Sequence, residues 1–265
     1  MSPSITLGQY IPGESSIHRL NPRFKIMVLL LLLVLLFTLN TYQGLLGLFL
    51  LVLAAYAIAR IPARYVVRGL RPILYIVIFA LVIYLFFTKG GVVLYRLGPV
   101  TIESEGALLG FFVITRLVIL ILASLLITLT TTPLSLTHGM EYFMKPLQRF
   151  GLPTSEVAMI MAIALRFIPT LLEESSRLMR AQVSRGADFE RGSIFRRART
   201  LAPLIVPLFV SAFRRADELA LAMEARGYRV GALRTRMHEE KVSSLDWAAL
   251  ILLLVLLASA FVFQF

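Results

Sequence analysis

The chain has 265 residues, of which 58% are hydrophobic, with a mean hydropathy of +0.82 and a formal net charge of +12. A soluble domain is closer to half apolar, so this composition predicts a membrane protein rather than a soluble enzyme or a nucleic-acid-binding domain. The chain contains no cysteine, which excludes disulfides, thiol catalysis and cysteine-ligated metal sites.

Five apolar runs are long enough, or nearly so, to cross a bilayer, which requires ~20 apolar residues. They lie at about 24–39, 45–59, 72–87, 107–129 and 247–264. Asn21 and Pro22 are typical of a helix start and precede the first run. Arg23 and Lys25 are expected to extend their charged ends to the lipid headgroups. Trp247 begins the last run, as an interfacial anchor would.

The basic residues in the connecting segments predict the orientation. Residues 1–25 hold three Lys or Arg, 40–44 none, 60–71 four, 88–106 two and 130–246 seventeen. Cytoplasmic segments carry the excess of basic residues in membrane proteins, so this alternation predicts that the N-terminus is cytoplasmic.

The segment between the fourth and fifth runs is predicted to form three helices, at about 134–149, 155–185 and 195–226. Both long helices begin apolar and end charged. A helix of ~32 residues is ~48 Å long, more than a bilayer requires. We therefore expect half of each to lie at the membrane interface and half in the cytosol. The alternative is that the two apolar halves are further spans.

These patterns predict an all-α membrane protein with about five transmembrane helices and long cytosolic or interfacial helices between spans four and five. Three domains are predicted. The first, 1–131, is an N-terminal transmembrane domain of four helices. The second, 132–245, contains the long helices, and the third, 246–265, is a C-terminal transmembrane helix.

The two long helices are predicted to end in the same way, with a small residue, an arginine and a glycine. These residues are Ser184, Arg185 and Gly186 in the first helix, and Ala225, Arg226 and Gly227 in the second. Each glycine occupies the position of a left-handed cap. A basic residue before such a glycine is ordinary at one site. Two copies favour a pair of docking points, because a guanidinium suits the carboxylates and helix-end carbonyls of another protein.

No phosphate-binding loop motif occurs, and the predicted spans contain no Asp or Glu away from their ends. We therefore predict no catalytic residues, no metal site and no cofactor, which argues against an intramembrane enzyme. Arg116 is the one charge well inside a span and is a functional candidate by default. We expect a structural role for it, either paired with Glu103 or Glu105 or facing the helix bundle. Energy for transport would then come from a partner.

The chain resembles the transmembrane T component of energy-coupling factor transporters, the vitamin and metal importers of the ATP-binding cassette class. The resemblance extends over nearly the whole length. It rests on YIPGESSIHRLNPRFK at 10–25, on TTTP at 130–133, and on the two helix ends. These ends are similar to the family's paired Ala-Arg-Gly signatures, with Ser184 in place of the first alanine.

The resemblance implies an energy-coupling scaffold that is not itself an enzyme, a multi-pass protein of a prokaryotic cell membrane that serves vitamin or micronutrient uptake. It implies two cytosolic ATPases, each of which binds one arginine-tipped end of the long coupling helices. It also implies a small membrane S component that binds the substrate and packs on their apolar halves. We expect S-component contacts from Val157, Met159, Ile160, Met161, Leu204, Ile205 and Leu208.

Two alternatives stay open at this point. One is a self-contained permease or channel with its own substrate path. The other concerns the cargo, which the sequence does not name. A module shared by several S components is favoured over a dedicated one only by the overall resemblance.

Overall fold

The computed structural model describes residues 10–97, 100–187, 194–229, 231 and 242–263. The helices in these ranges are α1 (Ser16–Arg19), α2 (Pro22–Thr38), α3 (Tyr42–Ala59), α4 (Ala63–Phe87), α5 (Ser104–Thr130), α6 (Pro133–Met144), a 3₁₀ helix (Lys145–Phe150), α7 (Thr154–Ser184), α8 (Ile194–Ala225) and α9 (Ser244–Phe263). An antiparallel hairpin of β1 (Val93–Leu97) and β2 (Val100–Glu103) precedes α5. The predicted all-α class is confirmed, apart from this short hairpin.

Four of the described helices have the length and apolar composition needed to cross a membrane, namely α3, α4, α5 and α7. The first three coincide with predicted spans, whereas α7 is the first of the long helices expected at the interface. The first and last predicted spans correspond to α2, with 17 residues, and α9, with 20. The number of spans therefore stays a prediction.

The long helices α7 and α8 match their predicted positions to within one residue at each end. Pro169 lies inside α7, and Pro203 and Pro207 lie inside α8, without interrupting either helix. The single helix predicted at 134–149 is wrong. The α-helix ends at Met144 and a 3₁₀ helix follows, because Pro146 has no N–H with which to continue the α-helical hydrogen bonds.

The chain divides into two compact units, Met1–Phe143 with Glu239–Phe265, and Met144–His238. In the first unit, α2, α3 and α5 meet along a leucine-rich core, where Leu36, Leu45 and Ile119 are at most 2% exposed. The Tyr56 hydroxyl donates to the Leu122 carbonyl at 2.8 Å within this core. Lipid tails are as apolar as leucine, so close packing and such hydrogen bonds stabilise the helix contacts.

Glycines on α5 let α4 approach closely. A Cβ on Gly106 would lie 2.7 Å from the Thr88 carbonyl oxygen and 2.8 Å from that of Tyr84. Small residues at helix contacts are typical of membrane helix pairs. No residue of α4 is buried, so most of the apolar surface of this helix is available to lipid.

Lys25 belongs to a buried polar cluster at the start of α2. It is 4% exposed, and its Nζ donates to the carbonyls of His18 at 3.2 Å and Thr130 at 2.9 Å, and to the Thr131 hydroxyl at 3.0 Å. The predicted extension of Lys25 to the headgroups is therefore wrong. The three ammonium donors find three oxygens inside the protein.

The segment before α2 is held at the same place by backbone contacts. The N–H of Ile11 donates to the Leu129 carbonyl at 2.9 Å, and the N–H of Asn21 donates to the buried Asp246 carboxylate at 2.9 Å. The opening segment and the TTTP segment, which both contribute to the family resemblance, thus meet where α2 and α9 begin and α5 ends.

His18 has a hydrogen-bonding environment that favours the neutral ring. Its Nε2 lies 3.1 Å from the Ile11 carbonyl and its Nδ1 lies 2.7 Å from the Ser15 hydroxyl. A carbonyl only accepts, so Nε2 carries the proton and Nδ1 accepts from Ser15. Burial lowers the pKa of His18, the hydrogen bond to Ile11 opposes this, and the charge of Lys25 lowers it further.

Arg116, near the middle of α5, stabilises the end of α2. Its Nη2 donates to the Leu39 carbonyl at 2.7 Å, and its guanidinium lies 4.9 Å from the Phe112 ring centre and 5.6 Å from that of Phe37. Among the described residues, Arg116 does not form the ion pair with Glu103 or Glu105 that the sequence suggested. The cation instead lies at the carbonyl end of α2, where the helix dipole favours it.

Candidate functional site

The arginine-containing end of α7 has the geometry of a Schellman motif. Gly186 adopts a φ of +86°, and its N–H donates to the Val183 carbonyl at 2.9 Å. The N–H of Ala187 donates to the Gln182 carbonyl at 3.0 Å. These two bonds satisfy carbonyls that the end of a helix leaves without partners, and the left-handed glycine that they require was predicted from the sequence.

The end of α8 repeats this geometry. Gly227 adopts a φ of +75°, and its N–H donates to the Glu224 carbonyl at 2.9 Å. The N–H of Tyr228 donates to the Met223 carbonyl at 3.0 Å. The left-handed glycine is confirmed at both ends, so the two helices present the same backbone arrangement around their arginines.

Both arginines face solvent in the described chain. Arg185 and Arg226 are exposed, and so are Ser184 and Ala225 before them. Neither guanidinium makes an ion pair with a described residue. The acidic residues Asp188 and Glu190, which follow the first end in sequence, lie outside the described residues. Each end therefore presents an exposed arginine on a capped helix.

One ion pair joins α7 to α8 at an equal distance from the two ends. Arg215 donates to the Glu174 carboxylate at 2.8 Å, with side chains 35% and 25% exposed. Glu174 precedes Arg185 by eleven residues, and Arg215 precedes Arg226 by eleven residues. At ~1.5 Å per residue, each helix runs ~16 Å from the ion pair to its arginine. The pair thus lies at the base of two helical arms of equal length.

The apolar residues predicted to contact a membrane partner differ in exposure. Ile160 and Ile205 are 62% and 46% exposed, whereas Val157, Met159, Met161 and Leu208 are partly buried. Leu204 is 4% exposed, so little of its side chain is on the surface of the described chain. The first turn of α7 is anchored close by, where Gln148 donates to the fully buried Thr154 hydroxyl at 2.6 Å.

α8 also carries an exposed apolar strip that was not predicted. Val206, Phe209, Val210 and Phe213 are 54–67% exposed, and the two phenylalanine rings stack with centres 6.5 Å apart. Their spacing of i, i+3, i+4 and i+7 places them on one helix face. That periodicity was visible in the sequence VPLFVSAF and would have identified the strip.

Nothing in the described ranges suggests a metal centre, since no group of three or more His, Asp or Glu side chains lies close enough to hold an ion. The site therefore consists of two capped arginine ends, an ion pair between their helices and an exposed apolar strip. Its chemistry is suited to binding other proteins.

The fold and site define a multi-pass α-helical membrane protein whose exposed features are suited to partner proteins. The sequence pattern of a family described as cobalt transport protein, CbiQ, matches residues 13–239. A relative from Thermosediminibacter oceani is 49% identical over 93% of this chain and 93% of its own length. One from Acidaminococcus fermentans is 49% identical over 97% of both chains. One from Bacillus subtilis is 42% identical over 98% of both.

All three relatives are named energy-coupling factor transporter transmembrane protein EcfT. The chain belongs to this family of transporter components, as its two capped arginine ends and long apolar helices led us to expect.

Proposed function

We propose that the chain is the energy-coupling scaffold of an importer of the ATP-binding cassette class. Two cytosolic ATPase subunits each bind one arginine-tipped end, and ATP-driven movement of these subunits displaces α7 and α8. A substrate-binding S component on the apolar surface of these helices receives that movement and releases a vitamin or another micronutrient inward. ATP hydrolysis takes place in the partners, and this chain is not an enzyme.

The observation that carries the proposal is the repetition of one motif at two helix ends. Both ends have the same pair of cap hydrogen bonds, a left-handed glycine and an exposed arginine immediately before it. Two similar binding sites, one on each of two related ATPase subunits, would recognise two such ends. Each guanidinium can donate in a fixed fork to a carboxylate or to helix-end carbonyls.

The ion pair between α7 and α8 supports a mechanical role. A displacement of either arginine end acts on the Glu174–Arg215 contact through ~16 Å of helix. Because both arms have the same length, equal movements of the two ATPases reach the contact equally. The continuous helices on its other side carry the movement to the apolar halves.

The exposed strip on α8 is the surface that we propose for the S component, together with Ile160 and Ile205. Val206, Phe209, Val210 and Phe213 form an apolar face that a helical membrane protein could cover. Partly buried Val157, Met159, Met161 and Leu208 border this surface in our proposal. Leu204 is 4% exposed and contributes little to this surface.

We propose that the two arginine ends lie in the cytoplasm of a prokaryotic cell, together with the N-terminus. The distribution of basic residues supports this orientation, since seventeen Lys or Arg lie within 130–246. The S component, rather than this chain, selects the cargo. The EcfT relatives carry no cargo in their names, which favours a shared module over one dedicated to cobalt.

The test is charge reversal at both ends, Arg185→Glu with Arg226→Glu, in the chain expressed with its ATPases and S component. We expect the membrane-inserted variant to lose the ATPase subunits on co-purification and to lose uptake, while either single change is milder. The matched control is Arg177→Glu with Arg214→Glu, which reverses two exposed charges away from the ends.

Normal uptake by the doubly reversed variant would contradict the proposal. A second measurement separates it from the permease alternative. The purified chain alone, reconstituted in vesicles, is expected to give no substrate flux. Flux in the absence of ATPases would favour a self-contained permease.

A further inference from the structure

The β1–β2 hairpin between α4 and α5 exposes four consecutive apolar side chains. Val92, Val93, Leu94 and Tyr95 are 72%, 50%, 59% and 61% exposed. Val92 exchanges hydrogen bonds with Ser104, Val93 is paired with Glu103, and the strand register shifts between Val93 and Tyr95. Successive residues of a strand point to opposite faces. Both faces of the hairpin therefore carry exposed apolar groups.

The hairpin is fastened at its base and does not project freely. The N–H of Gly90 donates to the Glu103 carboxylate, and the N–H of Glu105 donates to the Gly90 carbonyl at 3.2 Å. β2 lies beside α4 and the first turns of α5. The apolar segment is thus held close to the ends of two predicted spans.

The length of α5 fixes the depth of this segment. α5 has 27 residues and is ~40 Å long, ~10 Å more than the hydrocarbon core of a bilayer. Its Thr130 end meets the start of α2 in the polar cluster around Lys25, and we place one polar boundary at this cluster. The Ser104 end and the hairpin attached to it then lie in the headgroup layer on the opposite side.

The backbone of β1 excludes a deeper position. In the described residues the sheet has two strands, so β1 has one edge without a strand partner. Such an edge needs hydrogen bonds from water or headgroups and does not occur within hydrocarbon. The side chains favour lipid while the backbone requires a polar environment, and the bilayer interface satisfies both.

We propose that residues 92–95 form an interfacial lipid anchor, which inserts its apolar side chains among the lipid headgroups and upper acyl chains. A lipid interface surrounds the hairpin and covers both faces, whereas a globular partner would cover one. Ile83, Phe86 and Phe87 at the end of α4, a few residues earlier in the chain, are also 39–80% exposed. Lys89 is exposed between α4 and β1, where its ammonium can reach phosphate groups.

The test uses the full chain with its single tryptophan removed, Trp247→Phe, and a new tryptophan at Val92→Trp or at Val93→Trp. Each variant is reconstituted into phosphatidylcholine–phosphatidylglycerol vesicles that contain lipids brominated at defined acyl positions. We expect blue-shifted emission at both positions, strongest quenching by bromine nearest the headgroups, and loss of quenching by aqueous iodide. Phe87→Trp, on the apolar surface of α4, is the control for lipid contact.

Iodide quenching at either position would overturn the proposal, and so would strongest quenching by bromine at the chain ends. Protection from iodide only after the S component is added would identify a protein docking surface instead. The measurement needs neither ATPases nor transport. Its result therefore tests the lipid anchor independently of the proposed scaffold function.

Discussion

Arg215 on α8 donates to Glu174 on α7 at 2.8 Å, and each residue precedes the arginine that ends its helix by eleven positions. The contact therefore lies at the base of two arms of ~16 Å. Both side chains are partly exposed, so the ion pair contributes modestly to stability, roughly 0.2–1 kcal/mol. The main effect of this ion pair is to fix the point at which α7 and α8 contact each other.

The first prediction concerns this contact. Glu174→Arg places two cations opposite each other and should lower the uptake obtained per ATP hydrolysed, with insertion intact. Adding Arg215→Glu restores opposite charges and should recover much of the loss. Uptake and ATP hydrolysis are measured together in the reconstituted complex.

Neighbouring residues supply the controls for this charge swap. Glu173→Arg and Arg214→Glu make the same charge changes one position away, on exposed side chains that form no ion pair with another described residue. They should leave coupling near its normal value. A swap variant that behaves no better than the single reversal would show that the attraction itself is not needed.

The second prediction concerns the cap glycines. Gly186→Ala and Gly227→Ala force a side chain into left-handed backbone at a cost of ~1–2 kcal/mol each. The helix ends should then change conformation, which would change the position and orientation of Arg185 and Arg226 relative to the ATPase subunits. Co-purification of the ATPase subunits is expected to fall. Asparagine, which tolerates this conformation better, should give milder variants at both sites.

Gly47→Ala is the matched glycine control. Gly47 lies within α3 at negative φ, and a Cβ there would meet no atom within 4 Å. This change should not reduce co-purification. If the alanine variants at the two caps bound the ATPases as well as this control, the cap geometry would not matter for docking.

The third prediction concerns Lys25. Lys25→Met removes the donor from the carbonyls of His18 and Thr130 and from the Thr131 hydroxyl, and leaves them in a buried site. A buried polar group without its partner costs ~1–3 kcal/mol. We expect a clear fall in the thermal unfolding temperature of the purified protein. Lys145→Met, at an exposed lysine, should cause little change; equal stability of the two variants would contradict the buried role.

The fourth prediction concerns pH and His18. Its pKa is lowered in the folded protein, mainly by burial, so the unfolded chain binds the proton more readily. Above pH ~6.5, the pKa of a histidine in the unfolded chain, His18 should not affect the free energy of unfolding. As the pH falls below that value, the free energy of unfolding should decrease. Protonation would also turn Nδ1 from an acceptor of the Ser15 hydroxyl into a donor.

The measurement for His18 is the unfolding temperature at pH 7.5 and at pH 5.5, for the native protein and for His18→Gln. Other groups titrate in this range, so the difference between the two proteins isolates the histidine. The native protein should lose more stability on acidification than the variant. A variant with the same pH dependence would show that His18 does not titrate as its surroundings indicate.

The sequence by itself was sufficient for features that depend on neighbouring residues. The apolar helices α3, α4 and α5, the bounds of α7 and α8, and the left-handed Gly186 and Gly227 were all predicted from the sequence. Helix caps are formed by hydrogen bonds between residues at most five positions apart, so local sequence contains nearly all the information. The family resemblance used the same local motifs.

Tertiary structure decided which distant groups meet. Lys25 turns inward to Thr130 instead of outward to lipid, Arg116 binds the end of α2, and Leu204 is buried. The Glu174–Arg215 contact joins residues 41 positions apart. Each of these outcomes depends on how one helix is rotated and crossed against another. Hydrophobic periodicity alone does not specify that geometry, because in a membrane both lipid and neighbouring helices accept an apolar face.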